Sequence, residues 1–238
     1  MMTARSSLRL AVAQPVTVPY DVATNVGAHA SIVAEAAADV VVFPELSLTG
    51  YHFDAESISP DDHRLSPLVE ACGRSNTIVL AGAPVQGHDG RHIAVLRIDG
   101  NEATVAYHKM YLGSDESAHF VAGAGPAAIE VAGWRFGLAV CKDTGVPDHA
   151  AATATLGIDV YAAGVLEHAE DADVQAKRAH RIIADHNVWV AIAGFAGPTG
   201  EGFDESTGCS TIWRPDGSVA AAVGPEPGDF AVFELDPR

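Results

Sequence analysis

The sequence has few basic residues, and this shortage limits the partners it can have. Its 238 residues include 14 lysines and arginines against 31 acidic residues, for a formal net charge of −17. Such an acidic surface repels phosphate backbones and anionic lipid headgroups, so neither a nucleic-acid nor a membrane partner is expected. No apolar run is long enough to span a bilayer and the start lacks the apolar stretch of a secretion signal, so we expect a cytoplasmic location.

Cysteine is also scarce. Only Cys72, Cys141 and Cys209 are present, and an odd number at wide spacing argues against a disulfide framework. No CxxC pair and no HExxH motif occurs, so no metal site is expected. Cys72 falls in a helical stretch and is interpreted as a core residue. Cys209 falls at the predicted start of a strand and is interpreted as sheet packing.

What is present is typical of a globular protein, with 48% hydrophobic and 19% charged residues. Apolar runs predict strands at residues 8–14, 40–43, 77–83, 91–98, 103–108, 134–140, 160–163, 189–195, 209–213 and 219–223. Helical periodicity predicts helices at residues 21–38, 65–74, 147–156 and 169–186. This order predicts an α/β sandwich of sheets covered by helices, and with no linker or repeat we assign residues 1–238 to one domain.

Reactive side chains follow three of these strands. Glu45 comes after the run 40–43 and Pro44, at the rim of the core, where partial desolvation would raise its pKa and make it a usable base. Lys109 ends the strand 103–108, where an ammonium group could stabilise a developing oxyanion. Taken alone, each residue is better explained by an inert role: Glu45 as a solvated loop acid, and Lys109 as protection of a sheet edge.

Cys141 ends the strand 134–140 and is followed by a turn into a helix. Such a turn presents the sulfur outward, and a following backbone N–H can face an oxyanion. A nearby helix N-terminus and Lys109 are expected to lower the thiol pKa. The alternative is that Cys141 is a small buried hydrophobic residue.

Taken together, three segments resemble the motifs of the nitrilase superfamily of carbon–nitrogen hydrolases. They are residues 43–51 (FPELSLTGY), 107–112 (YHKMYL) and 137–143 (GLAVCKD), and the similarity runs from Leu8 to Asp236. The resemblance implies a four-layer αββα sandwich and a Glu45–Lys109–Cys141 triad that acts without a cofactor. It also implies a second glutamate after the lysine, for which we favour Glu116 over Asp115, and assembly into a homodimer or a multiple of it.

The resemblance implies hydrolysis of a non-peptide C–N bond of an amide, with water as second reactant, through a thioester on Cys141. The backbone N–H of Lys142 would help to hold the oxyanion. Characterised amidase branches often carry arginine and an aromatic residue where this chain has Gly145 and Val146, whereas Asp143 favours amides over nitriles. Because Gly145 and Val146 offer little bulk and long loops must close over the site, we expect a small, polar substrate. A nitrile hydrolase of the same fold, a binding module that keeps the triad and a metallohydrolase are the alternatives.

Overall fold

Two mixed six-stranded sheets form the centre of the computed structural model, which describes residues 5–237. In spatial order the first sheet contains β12 (Phe230–Leu235), β1 (Leu8–Ala13), β2 (Val40–Val42), β3 (Ile78–Gln86), β4 (Arg91–Ile98) and β5 (Ala103–His108). The second contains β11 (Val219–Ala222), β10 (Thr211–Trp213), β9 (Trp189–Gly194), β8 (Val160–Val165), β7 (Trp134–Val140) and β6 (Ala128–Val131). In each sheet the three successive strands β1–β2–β3 and β7–β8–β9 are parallel, so their carboxyl ends lie at one edge.

Five α-helices occur in the described residues: α1 (Val22–Ala36), α2 (Ser66–Ser75), α3 (Lys142–Gly145), α4 (Pro147–Ala154) and α5 (Val174–His186). The start of α1 follows from its cap, because the Asp21 carboxylate accepts the backbone N–H of Thr24 at 3.0 Å. Its end follows from Ala37, which adopts a left-handed conformation (φ 45°) that cannot continue the helix.

Alternating side chains of the strands build three separate cores. On β1, Leu10 and Val12 pack into the core between the two sheets, whereas Ala11 and Ala13 pack beneath α1 and α2. On β8, the side chains of Val160 and Ala162 point into the same central core, and the alternate ones pack against α4 and α5. Three cores need four layers, and the predicted αββα sandwich is confirmed.

Most predicted elements are confirmed, with ends that move by at most three residues, but two strands were missed and two predictions need correction. The strands β6 and β12 were not predicted, and the first turn of the predicted helix 169–186 is a separate 3-10 turn (Ala169–Asp171). The strand predicted from Cys209 begins at Thr211, and Cys209 is exposed with φ 53° rather than packed in the sheet. Cys72 is buried in α2, as expected.

Over residues 5–237, none of the helices combines the length and apolar character that a bilayer crossing requires.

Candidate active site

Glu45 lies in a turn directly after β2, and two glycines make room for this turn. A Cβ atom on Gly82 of β3 would lie 2.3 Å from the backbone nitrogen of Leu46, and one on Gly164 of β8 would lie 2.5 Å from the carbonyl oxygen of Phe43. The turn therefore lies between β3 of one sheet and β8 of the other, and leaves no space for a side chain at Gly82 or Gly164. This holds the Glu45 side chain between the sheets, where the residue is 1% exposed.

Lys109 follows β5 and is held between two carboxylates. Its Nζ donates to Glu45 Oε1 at 2.6 Å and to Glu116 Oε1 at 2.6 Å, and all three side chains are at most 3% exposed. Glu116 is fixed in turn by the hydroxyl of Tyr51 and the backbone N–H of Gly113, each at 2.6 Å. The structure thus places Glu116 against the lysine.

The competing acid, Asp115, is exposed to solvent. The preference for Glu116 over Asp115 as the neighbour of Lys109 therefore agrees with the geometry.

The pKa values of the two carboxylates shift in opposite directions. Desolvation raises the pKa of Glu45 to about 8, although Lys109 acts in the opposite direction. Burial also acts to raise the pKa of Glu116, but Lys109, Tyr51 and Gly113 outweigh it and hold this pKa below its usual value. The pKa of Lys109 is raised, because the neighbouring anions overcome the effect of its own burial. Glu116 is thus the permanent anion of the cluster, and Glu45 can exchange a proton near neutral pH.

One oxygen of Glu45 is left over. Among the described residues Glu45 Oε2 is buried and has no hydrogen-bond partner. A buried carboxylate oxygen without a partner is costly in a native structure and indicates a functional site. This oxygen is free to accept a proton from a nucleophile or from a bound substrate.

Cys141 follows β7 in a strained backbone conformation, with φ 39° and ψ −97°. Its N–H bonds to the Gly164 carbonyl at 3.0 Å, and its Sγ donates to the Leu166 carbonyl at 3.2 Å. Backbone strain of this kind is characteristic of nucleophiles displayed on a sharp strand-to-helix turn. Cys141 lies close enough to Glu45 and Lys109 for both charges to act on its thiol.

The expectation of a lowered thiol pKa is wrong. Burial raises the pKa of Cys141 well above its usual value, Glu45 raises it further, and the opposing effect of Lys109 does not compensate. In the free protein Cys141 therefore stays a thiol at neutral pH. Its ionisation requires a base, and the carboxylate of Glu45 is close enough for its charge to act on the thiol.

Lys142 is the first residue of α3, and its side chain reaches the segment after β5. Its Nζ donates to the Leu112 carbonyl at 2.5 Å, and the residue is exposed. The first N–H groups of a helix have no partner within the helix, so the helix start leaves the backbone N–H of Lys142 available as a donor.

Asp143 is fully buried and contacts protein groups on both sides of the site. It accepts the N–H of Val140 at 2.9 Å, the N–H of Tyr111 at 2.9 Å and the hydroxyl of Tyr107 at 2.8 Å. His149 lies behind this hydroxyl at 2.9 Å. Asp143 thus connects the segment after β5, which carries Lys109, to the turn that carries Cys141, a role that the sequence did not indicate.

Gly145 leaves space that another residue fills. The guanidinium group of Arg178, on α5, lies where a side chain at position 145 would point, with its Nε 3.2 Å from an ideal Cβ. This contact could not be predicted from the sequence, because 33 positions separate the two residues. Tyr51 and Tyr107, by contrast, lie inside the motif segments and could have been marked as candidates.

No three His, Cys, Asp or Glu side chains within the described ranges are grouped as a metal ion would require.

Comparison with known proteins identifies the family. The carbon–nitrogen hydrolase profile matches residues 9–238. A Pseudomonas protegens protein named "Hydrolase in pqqF 5'region" is 30% identical over 234 residues, which cover 92% of this chain and 79% of that protein.

Solved structures show the same architecture. A mutant of the amidase of Nesterenkonia AN1 from the nitrilase superfamily superimposes with a TM-score of 0.87 at 24% identity, covering 99% of this chain and 94% of that one. The NitN amidase of Nesterenkonia sp. AN1 does so with a TM-score of 0.86 at 25% identity, covering 96% and 92%. This chain belongs to the carbon–nitrogen hydrolase family.

Proposed function

We propose that this protein hydrolyses the C–N bond of a small amide through a thioester on Cys141. The observation that carries the proposal is the buried cluster of Glu45, Lys109 and Glu116 beside a strained cysteine, with one oxygen of Glu45 left without a partner. Buried charges are costly to stability, so a cluster of three at a strand edge favours a chemical role over a structural one.

The geometry supports a division of roles. Glu45 Oε2 takes the proton of Cys141 as the sulfur attacks the amide carbon. Lys109 and the backbone N–H of Lys142 stabilise the oxyanion, and Glu45 returns the proton to the leaving amine. Water, activated by Glu45, then cleaves the thioester and restores the thiol. Glu116 keeps Lys109 charged and in place throughout.

The substrate is proposed to be small. The sequence suggested this from the lack of bulk at Gly145, but Arg178 fills that space, so the reason has to be different. Support comes from an aromatic cluster beside Glu116: Phe203 meets Tyr51 edge-on with centroids 5.5 Å apart and stacks on His168 at 4.0 Å. Rings in this position leave little room for a long acyl chain.

Amides are proposed over nitriles on the resemblance around Asp143, which is buried and acts through the loops it joins rather than by touching substrate. A mutant of the Nesterenkonia AN1 amidase was solved in complex with butyramide. Since that likeness shows the fold alone, butyramide is a first compound to test, next to ω-amides, carbamoyl amines and nitriles.

The decisive experiment combines activity with mass spectrometry. Cys141→Ala should abolish hydrolysis of any accepted amide, and brief incubation of the wild type with substrate should add the acyl mass to Cys141. Cys209→Ser is the matched control, because that cysteine is exposed and should leave turnover unchanged. Full activity in Cys141→Ala would exclude the proposal, and loss of activity with a chelator would point to a metallohydrolase.

The raised thiol pKa favours a second candidate, a binding module that retains the site without turnover. Iodoacetamide labelling with peptide mapping separates the two. A catalytic Cys141 should react faster than the buried Cys72 once Glu45 is ionised, above about pH 8. Equal labelling of both cysteines, together with no hydrolysis in the substrate panel, would favour the binding module.

Assembly into a homodimer and a cytoplasmic location are also proposed, from the family resemblance and the sequence. Light scattering that gives the mass of one chain, 24.7 kDa, would contradict the dimer. Cell fractionation tests the location.

A further inference from the structure

An ion pair that the proposed mechanism does not use lies behind the nucleophile. Arg178 Nη1 donates to Glu167 Oε1 at 2.6 Å, and the two side chains are 26% and 16% exposed. Gln175 Nε2, one turn earlier on α5, donates to the same oxygen at 2.6 Å. The guanidinium also reaches Thr144 Oγ1 at 3.3 Å, next to the nucleophile turn. Two donors on one helix thus hold the carboxylate of Glu167.

Glu167 belongs to the segment whose backbone accepts a hydrogen bond from the Cys141 thiol. It follows Leu166, whose carbonyl accepts the thiol at 3.2 Å. Its own carbonyl accepts the N–H of Thr207 at 3.1 Å, which fixes this segment. Burial and Glu45 raise the thiol pKa most, and the charge of Glu167 adds to them. An unpaired Glu167 would therefore disfavour the thiolate more strongly.

The place of the guanidinium depends on the absence of a side chain opposite it. An ideal Cβ on Gly145 would lie 3.2 Å from Arg178 Nε and 3.3 Å from Cζ, which is tighter than ordinary van der Waals contact. Glycine at this position lets Arg178 lie flat against the backbone of α3 while it reaches Glu167. The same α3 begins at the residue after the nucleophile.

We propose that Arg178 is a positioning residue for the nucleophile, which pairs with Glu167 beside the Cys141 loop and so keeps the thiol able to ionise. The inference rests on the proposed role of Cys141 and extends it to the residues that support it. The other charges that act on the thiol are Glu45 and Lys109, from the segments after β2 and β5. Glu167, in the segment after β8, contributes the remaining charge, and Arg178 pairs with it.

The test is a charge cycle read by alkylation of Cys141. Four proteins are compared with the wild type: Arg178→Met, Glu167→Gln, the double variant, and Lys177→Met as control. Lys177 directly precedes Arg178 on α5 and pairs with Asp173, and both of these side chains are largely exposed. Lys177→Met therefore removes one positive charge from the same helix without removing a partner of Glu167. The rate of iodoacetamide addition is measured from pH 6 to 10, with peptide mapping to separate Cys141 from Cys72 and Cys209.

Arg178→Met should slow alkylation of Cys141 about threefold to tenfold at neutral pH and move the profile to higher pH, since one pKa unit is a tenfold change in thiolate. The double variant should recover to within about twofold of the wild type, because the unpaired anion is gone. Lys177→Met should match the wild type. Arg178→Met with an unchanged profile, or a double variant as slow as Arg178→Met, would overturn the inference, because a merely structural loss is not rescued by Glu167→Gln. Melting curves confirm that each variant is folded. Amide hydrolysis that survives Cys141→Ala would instead refute the proposed function, independently of this result.

Discussion

Replacing Asp143 by asparagine tests whether one buried carboxylate holds the two halves of the site together. Oδ2 accepts the N–H of Val140 at 2.9 Å and the hydroxyl of Tyr107 at 2.8 Å, and Oδ1 accepts the N–H of Tyr111 at 2.9 Å. An amide has one oxygen. If it takes the place of Oδ2, its NH₂ group faces the N–H of Tyr111, and donor meets donor.

The magnitude follows from that conflict. A hydrogen bond to a charged acceptor is lost and a backbone N–H is left unsatisfied, which together should lower the free energy of unfolding by about 2 to 4 kcal/mol. The segment of Tyr111 also carries Lys109, so the lysine should lose its alignment with Cys141. We expect kcat/KM to fall about tenfold or more, since small misplacements in an active site are costly.

Urea denaturation followed by circular dichroism measures the first effect and amide hydrolysis the second. Asp185→Asn is the matched control: it makes the same change on an exposed residue of α5 and should leave both measurements unchanged. An Asp143→Asn variant as stable as the wild type would refute this account.

Three further predictions concern other parts of the site. Because Glu45 must be ionised to accept a proton and its pKa is raised to about 8, kcat/KM should increase as the pH rises through about 8; a flat profile from pH 6 to 9 would contradict the role. Gly82→Ala places a Cβ 2.3 Å from the Leu46 nitrogen and should destabilise by about 3 kcal/mol in urea titrations, whereas Gly27→Ala, in open space on α1, should be neutral or stabilising. Phe203→Ala should open the aromatic cluster and raise the kcat/KM of longer aliphatic amides relative to butyramide about tenfold; an unchanged ratio would place the acyl chain elsewhere.

The layers of the fold could be predicted because buried strands and amphipathic helices leave strong periodic patterns. The strands β6 and β12 were missed for different reasons. The turn between β6 and β7 uses Ala132 and Gly133 with positive φ, and alanine gives no turn signal. The segment of β12 was matched only as part of a motif, and its place beside β1 depends on a pairing across more than 200 residues.

The candidate site was predicted to the extent that its residues lie in short motifs. Glu45, Lys109 and Glu116 are brought together as expected, and Cys141 lies beside them. The direction of the thiol pKa was wrong because the sequence shows a helix start and a lysine but not the depth of burial. The assignment of roles and of a single domain stays a prediction.

The contacts of Arg178 could not be predicted. It lies on a helix with ordinary amphipathic spacing, and only the fold brings it to Gly145 and Glu167. The same holds for Asp143, which the motif marks without showing that its partners are the N–H groups of two different segments.

Glu45 and Lys109 follow strands of one sheet, and Cys141 follows a strand of the other. Neither sheet carries the whole site, so the alignment of these residues depends on how one sheet packs against the other. A small slip between the sheets would leave every strand and helix intact and still separate Glu45 from Cys141. On the proposed mechanism, hydrolysis should therefore respond to changes in the packing between the sheets more sensitively than the content of secondary structure does. Substitutions far from the site, in the central core, should reduce activity in a protein that is otherwise folded.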